Sequence, residues 1–339
     1  MKTNLIYILG MMCLSGTVSA QTTVNYTEFE QKVLDYSQTL KQSVSQRTAM
    51  QKAMKAAKTA FFPAVDATGS YQYRINKYDM DFGGMAVPME HDSYSAEVGV
   101  VQPIYAGGSI YHTYKASQIQ SQIADKSVDL TTDNLIYAAE ASYWGTAAQK
   151  EMYKTMCQYV EIISQLTKVL QDKYDDGYIS KTDLIQMQTR LKEAELQRSS
   201  SYQSYQIALQ NMNVLMGLEP DKEVGLVDSI FVELPLPAYV GADAALNVRP
   251  DYAISQLDVD YQKRQVKLAA AKYNPSLSIG FKETWGTQML NISGETMFNS
   301  NVYASVKLPL FHWGARFKST AAQKAILLGK QYSLQDKQD

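Results

Sequence analysis

The stretch AAAKYNPSLSIGFK, residues 269–282, changes character at its middle. Up to Lys272 it has the composition of a helix end. Pro275 stops a helix, because it lacks a backbone donor and its ring clashes with the preceding turn. From Ser276 the residues alternate, with Leu277, Ile279 and Phe281 on one side and Ser276, Ser278, Gly280 and Lys282 on the other. That period belongs to a strand with two unlike faces. The same phrase stands earlier as AAKTAFFPAVDATGSYQYR, beginning at Ala56 and broken by Pro63, 212 positions before Pro275.

The first copy reads outward from Pro63 in both directions. Helix-like sequence runs from about Asn25 to Phe62. AVDATGSYQYR then alternates, with Val65, Ala67, Gly69, Tyr71 and Tyr73 against Asp66, Thr68, Ser70, Gln72 and Arg74. A polar, Gly-rich connection reaches about Ser93. YSAEVGVVQPIY follows as a second strand, ended by Pro103, and Gly107 and Gly108 turn the chain into the next helix. The second copy repeats this grammar: a helix from about Asp243 to Lys272, a strand from Ser276 to Trp285, a loop through NISGETMFNSN, and the strand NVYASVKLPLF. Pro309 then stands where Pro103 did, and Gly314 where Gly107 or Gly108 did. VVQPIYAGG and VKLPLFHWG are counterparts.

Two long helices lie between the copies. From about Ser109 to Asp172 there is no proline and one glycine, Gly145. Ile123, Leu130, Tyr137 and Trp144 recur every seven residues, the spacing of a coiled-coil seam. A helix of that length reaches roughly 95 Å at 1.5 Å per residue. The next helix runs from about Thr182 to Met216, with Leu184, Met187, Leu191, Ala194, Tyr202, Tyr205, Leu209 and Met212 stepping by threes and fours. The turn between them is DKYDDGYISKTDL. Gly177 suits the left-handed residue that ends a helix. Ser180 is spaced to cap the next helix start, with Asp183 in its first turn. Residues 217–242, GLEPDKEVGLVDSIFVELPLPAYVGA, hold three prolines and three glycines and read as a non-helical insert. RPDY places Pro250 at a helix restart and Asp251 in its first turn.

The chain has 339 residues, with 32 Lys and Arg against 34 Asp and Glu, a formal net charge of −2. That balance gives no basic surface for nucleic acid. Lys2, the apolar run LIYILGMMCL and TVSA before Gln21 have the form of a secretory signal peptide, with the cut expected after Ala20. Met11 and Met12 precede Cys13 where a lipidation signal has small residues. Cys157 is then the one cysteine left, so no intrachain disulfide is expected. It reads as a small apolar residue of a helix. No second apolar run approaches the roughly 20 residues a membrane helix needs.

A single two-faced strand most simply covers a soluble core. Here four of them, each about 10 residues long, follow an export signal, and that length and alternation suit outer-membrane barrel strands. Four strands cannot enclose a lumen, and an open sheet edge in lipid leaves backbone groups unsatisfied. Several copies must therefore share strands, and three give 12, an even number within the known range.

These phrases in this order resemble the TolC-like outer-membrane efflux proteins over nearly the whole chain beyond Asn25. The most specific parts are AAAKYNPSLSIG with its earlier copy, VVQPIYAGG, VKLPLFHWG, DGYISKTDLIQMQTRL and RPDY. The resemblance implies a mainly α fold with membrane β: a long antiparallel helical hairpin forming part of a coiled-coil tunnel, and four transmembrane strands per protomer in a trimeric 12-stranded barrel. It implies a homotrimer in the outer membrane, reaching into the periplasm as a passive exit duct for drugs or other substrates of tripartite efflux or type I secretion. A periplasmic adaptor protein and an inner-membrane transporter would be partners, with outer-membrane lipid around the barrel. Asp176, Gly177, Tyr178, Ile179, Ser180 and Asp183 would form the tip that meets the adaptor. Asp175 and Asp176 would also lie near the tip, and in the family acidic residues near the tunnel end bind cations and favour cationic substrates.

The expected segments are a signal peptide at 1–20, periplasmic helices of the first repeat at 21–62, a first strand pair at 63–106, the hairpin at 107–216, the insert at 217–242, helices of the second repeat at 243–274, a second strand pair at 275–312, and the start of a long helix at 313–339. Pro63, Pro103, Gly107, Gly108, Pro275, Pro309 and Gly314 mark the strand-to-helix turns. The family's second repeat has another hairpin, about 140 residues by the lengths of the first, and the sequence reads as C-terminally incomplete. Two other readings compete: a periplasmic adaptor or coiled-coil scaffold, which would lack paired two-faced strands, and a non-functional truncated remnant of a duct.

His91, His112 and His312 fall in separate segments, away from zinc-ligand spacing. With no nucleophile motif or phosphate-binding loop, neither an enzyme nor a cofactor is expected.

Overall fold

The computed structural model describes residues 22–76, 79–88, 90–231, 239, 241–287 and 295–338. The proposed signal peptide and its cleavage site lie outside them, as do residues 291–294 of the loop expected at 291–301. In chain order the elements are β1 (Thr22–Val24), α1 (Tyr26–Tyr36), α2 (Gln38–Thr59), β2 (Ala64–Tyr73), β3 (Asp79–Phe82), β4 (Met85–Pro88), β5 (Asp92–Ala106), α3 (Ser109–Asp175), α4 (Lys181–Leu215), β6 (Val224–Leu226), α5 (Ala242–Val248), α6 (Pro250–Ala271), β7 (Ser276–Thr287), β8 (Thr296–Lys307) and α7 (Ala315–Asp336). No helix among the described residues is long and apolar enough to cross a membrane.

The chain divides into two compact units. One takes in the described residues up to Gln38 together with Asp133–Leu236; the other takes in Thr39–Thr132 and the described residues beyond 237.

In the first unit, α4 runs antiparallel beside α3. The Thr146 hydroxyl donates to the Ala208 carbonyl at 3.2 Å, and the Tyr153 and Tyr202 rings lie 5.1 Å apart. Phe29 and Val33 of α1 pack against Ala139, Tyr143 and Ala147 of α3 and Leu209 and Met212 of α4. The core continues to Val24 of β1 and to Val224 and Leu226 of β6, and these two short strands pair in parallel. Tyr143 ties them in. Its buried hydroxyl donates to the Val24 carbonyl at 3.1 Å and to Asp228 Oδ2 at 2.7 Å, and the same carboxylate oxygen accepts from the Tyr26 amide at 2.8 Å. Burial, then the Asp228 carboxylate, hold the Tyr143 phenol well above its ordinary pKa. Asn213, fully buried, donates to the carbonyls of Pro220 and Lys222 and fixes the start of the insert on α4.

In the second unit, β2, β5, β7 and β8 form an antiparallel meander in that order. Helices α2 and α6, each of 22 residues, lead into β2 and β7, while β5 and β8 lead into α3 and α7. The Gln262 amide of α6 donates to the Gln323 carbonyl of α7, and Lys330 of α7 pairs with Asp258 of α6 at 2.7 Å.

Several expectations are corrected. The helix expected over 25–62 is two helices that break at Ser37 and stop at Thr59. There, Phe61 and Phe62 donate to the carbonyls of Lys58 and Thr59 in a turn before Pro63. The polar connection before Ser93 contains the hairpin β3–β4, turned by Gly83 and Gly84 at φ 65° and 94°. Pro103 does not end its strand; β5 runs on to Ala106. The pairing with β7 shifts between Pro103 and Tyr105. Such a bulge is where a strand tolerates a residue without an amide donor. β8 begins at Thr296 and stops at Lys307, so Leu308 and Leu310 lie beyond it. Within 217–242, β6 interrupts the irregular insert, and the helix expected from Asp243 is split at Arg249. Pro250, with no N–H to give, starts α6 afresh.

The seven-residue seam also differs. Tyr137 is 75% exposed, whereas Ala139, Tyr143, Thr146 and Ala147 are buried. A strict heptad column drifts by about 20° per repeat around a straight α-helix, so it leaves any one contact face. The buried positions fall instead at spacings of three and four, at Ala139, Tyr143 and Thr146 and at Tyr143 and Ala147.

Candidate functional site

The meander has two unlike faces. Directly opposed residues of antiparallel strands share a face, so the register defines rows across all four strands. On one face lie Val65–Val100–Phe281–Val302 and Gly69–Ala96–Trp285–Phe298. On the other lie Asp66–Gly99–Lys282–Asn301 and Thr68–Glu97–Thr284–Asn299. Lys282 forms an ion pair with Glu97 on this polar face. The apolar face carries Asp92 at its loop end and Glu283, which accepts from the Ser300 hydroxyl of β8.

Neither face is covered. Val65 and Val302 are 67% and 83% exposed. Every residue of β2 and β8 is exposed, and these two strands have a neighbour on one side only. Long exposed edges of this kind are templates for pairing with another chain. The outer two strands run in opposite directions, because an even number of antiparallel strands separates the edges. Were two copies to meet head to tail, the type of contact that generates rings, the edge β8 of one would be antiparallel to the edge β2 of the next.

Aromatic residues cluster at both ends of the sheet. At the loop end are Tyr71, Tyr73, Tyr94, Trp285 and Phe298, with the Tyr94 and Trp285 rings 5.6 Å apart. At the helix end are Phe61, Phe62, Tyr105, Tyr111, Phe311 and Trp313, and the Phe311 and Trp313 rings are 5.0 Å apart. Phe62 and Tyr71 are nine positions apart. That is roughly 30 Å of extended chain, or about 23 Å of height at the tilt of a barrel strand, close to the band between the aromatic girdles of such barrels.

The strand–helix turns hold most of the residues singled out from the sequence. Pro63 stands between α2 and β2, and Pro275 directly before β7. Gly107 and Gly108 turn β5 into α3 with φ of 64° and 88°. A Cβ on Gly107 would sit 2.5 Å from the Ala271 carbonyl oxygen, and the Asn274 side chain donates to the Gly107 carbonyl at 2.9 Å. The α6–β7 turn thus clasps the β5–α3 turn. Pro309 lies between β8 and α7, and Gly314 precedes α7 at φ 72°. Sequence reasoning missed Asn274 and Trp313, which has φ of 48° without being a glycine. The visible signal for Trp313 was its alignment with Gly107 in the paired phrases.

The helical tip belongs to the first unit. The Tyr178 amide donates to the Lys173 carbonyl at 2.8 Å and the Gly177 amide to the Tyr174 carbonyl at 2.9 Å, with Gly177 at φ 80°. This is the six-to-one and five-to-two pair of a Schellman ending. Ser180 and Asp183 form a reciprocal capping box at the start of α4. The Asp183 amide donates to Ser180 Oγ and the Ser180 amide to Asp183 Oδ2, each at 3.3 Å. Two firm caps within four residues make a short, defined tip, with Asp176 and Tyr178 exposed and Ile179 half-buried. Among the described residues, no group of three or more His, Cys, Asp or Glu is placed to hold a metal ion.

Among the described residues the two-faced sheet has two unpaired edges and is joined by Gly turns to helices, and the helical hairpin is capped on both sides of its tip. Residues 30–218 match the model of the outer membrane efflux protein family, more than half of the chain, and the chain belongs to that family. It is similar to the alkaline protease secretion protein AprF of Pseudomonas aeruginosa, at 22% identity over 256 residues, covering 73% of this chain and 52% of AprF. The chain thus spans about half the length of that relative. The fold resembles the Campylobacter jejuni CmeC outer membrane channel, with a TM-score of 0.77 at 16% identity over 92% of this chain and 67% of CmeC. It also resembles the outer membrane protein VceC of Vibrio cholerae, with a TM-score of 0.74 at 13% identity over 92% of this chain and 75% of VceC.

Proposed function

We propose that the chain is the outer-membrane component of a tripartite export assembly, a passive duct through which drugs or secreted substrates leave the cell. The observation that carries this reading is the four-stranded meander with two bare edges, one apolar face and one polar face. In lipid, bare edges are untenable, so the sheets of separate copies join. Three copies close 12 strands, with the Val65–Val302 face to lipid and the Asp66–Asn301 face to a wet lumen. The aromatic clusters at the two ends sit at the two interfaces. The helices extend into the periplasm.

The hairpin tip is then the free end, where a periplasmic adaptor and, through it, an inner-membrane transporter would engage Asp176, Gly177, Tyr178, Ile179, Ser180 and Asp183. What supports this is the rigid double cap and the exposure of Tyr178. Secretion in the name of AprF and efflux in the name of the family both support export, and neither chooses the substrate.

The test is cysteine scanning across the edges. In a Cys157→Ser background, one cysteine at position 66, 68 or 70 of β2 is combined with one at 299, 301 or 303 of β8. Outer-membrane fractions oxidised in place are expected to give ladders ending at three subunits. Recovery of only soluble, uncrosslinked monomer would overturn the duct. In the same strain, Ile179→Asp is expected to lower efflux at unchanged protein level; unchanged efflux would remove the tip from docking while leaving the barrel standing.

A further inference from the structure

On the α3–α6 side of the second unit, a groove of about 480 Å³ gathers Lys115 of α3 with Lys263, Arg264 and Lys267 of α6. Some cations on α3 and α4 have carboxylate partners one turn away: Lys126 with Asp129, Lys154 with Glu151, Lys192 with Glu195. In the groove, Asp260 serves Lys263 alone, at 2.8 Å. No ion pair is formed by Lys115, Arg264 or Lys267 among the described residues. Lys115 donates only to the neutral Gln118 side chain, at 3.0 Å. Lys115 and Arg264 are half-buried. A cation drawn partly out of water without a counter-ion is costly, and a shared concave site raises the local anion concentration.

A second observation points the same way. His112, in the first turn of α3, has a shielded Nδ1 with no hydrogen-bond partner. Burial, then Arg264 and Lys267, push its pKa below the ordinary value. The charged form of His112 is therefore disfavoured by burial and by the positive field of the same two cations. Asp258 and Tyr261 of α6 line a different cavity, with α2, and do not relieve that field.

We propose that this groove is an anion site that takes a phosphate-bearing group, held by Lys115, Arg264 and Lys267. The planar guanidinium of Arg264 suits two phosphate oxygens at once, and the lysines act as point charges. Lys115 lies six residues into α3, roughly 9 Å along the helix from the strand turn. That is headgroup depth if the sheet spans the outer membrane. The source is then either an anionic phospholipid headgroup or a soluble phosphate group. Only the lipid source rests on the membrane reading; the site itself does not.

The experiment uses the purified full chain in detergent and two probes, dioleoylphosphatidylglycerol by native mass spectrometry and inorganic phosphate by calorimetry. In the variant Arg264→Gln/Lys267→Gln, affinity for the bound probe is expected to fall about 25-fold, from roughly fivefold per lost cation. Asp260→Asn frees Lys263 and is expected to tighten binding, which keeps the proposal testable should the double variant not fold. Binding of the lipid but not of phosphate, weakened by the double variant, assigns a headgroup. Binding of phosphate with the same weakening assigns a soluble group. Equal binding of each probe by all three proteins, or none by the unaltered chain, overturns the site.

Discussion

Where β5 hands over to α3, Gly107 and Gly108 take φ of 64° and 88°; where β8 hands over to α7, Trp313 and Gly314 take 48° and 72°. The two turns have the same left-handed backbone and different surroundings. Gly107 is pressed against the Ala271 carbonyl and held by Asn274, because α6 and β7 stand beside it. Trp313 is 84% exposed, and a Cβ on Gly314 would meet nothing within 4 Å. The first turn sits inside the sheet order, the second at its edge. The repeat therefore dictates the bend, while the neighbour decides whether a side chain fits. If copies join edge to edge as proposed, another copy's α2–β2 turn would lie beside Trp313.

Three substitutions break or sharpen this contrast. Gly107→Ala puts a methyl into both a left-handed residue and a backbone oxygen. Roughly 1–2 kcal/mol for the conformation and about 1–3 kcal/mol for the overlap make it the most damaging. The midpoint of urea unfolding in detergent should fall sharply, and an unchanged midpoint would dismiss the clasp by Asn274. Gly314→Ala has the conformational penalty without the overlap, so a loss of about 1–2 kcal/mol is expected. A loss as large as that of Gly107→Ala would mean the edge turn is as crowded as the inner one. Trp313→Gly relieves a strained non-glycine and should raise the monomer's stability slightly, by up to about 1 kcal/mol. If the assembled ring instead loses heat resistance on a gel, the indole is a contact between copies.

The sheet and the tip were legible because each rests on a local rule. Alternation from Val65 and from Leu277 defines strand faces whatever lies beside them, and Ser180 with Asp183 caps a helix by spacing alone. Features set by distant partners were not legible. The pairing of β1 with β6 depends on Tyr143 and Asp228, 85 positions apart. Nothing near Tyr137 announces that its heptad column turns outward. The run of Pro103 within β5 depends on a bulge against Leu277 and Ser278 of another strand. Lys115 and Arg264 look like ordinary solvated charges until α3 and α6 are side by side.

The two edges of the meander run in opposite senses and cannot substitute for each other. If the chain closes into the proposed trimer, one faulty copy interrupts closure just as surely as three. If a gene carrying a ruined β8 is expressed alongside an equal amount of the intact one, random mixing into trimers leaves roughly one assembly in eight wholly sound. Loss of the proposed export in such a cell would then be dominant, and far deeper than the halved supply of good subunits accounts for.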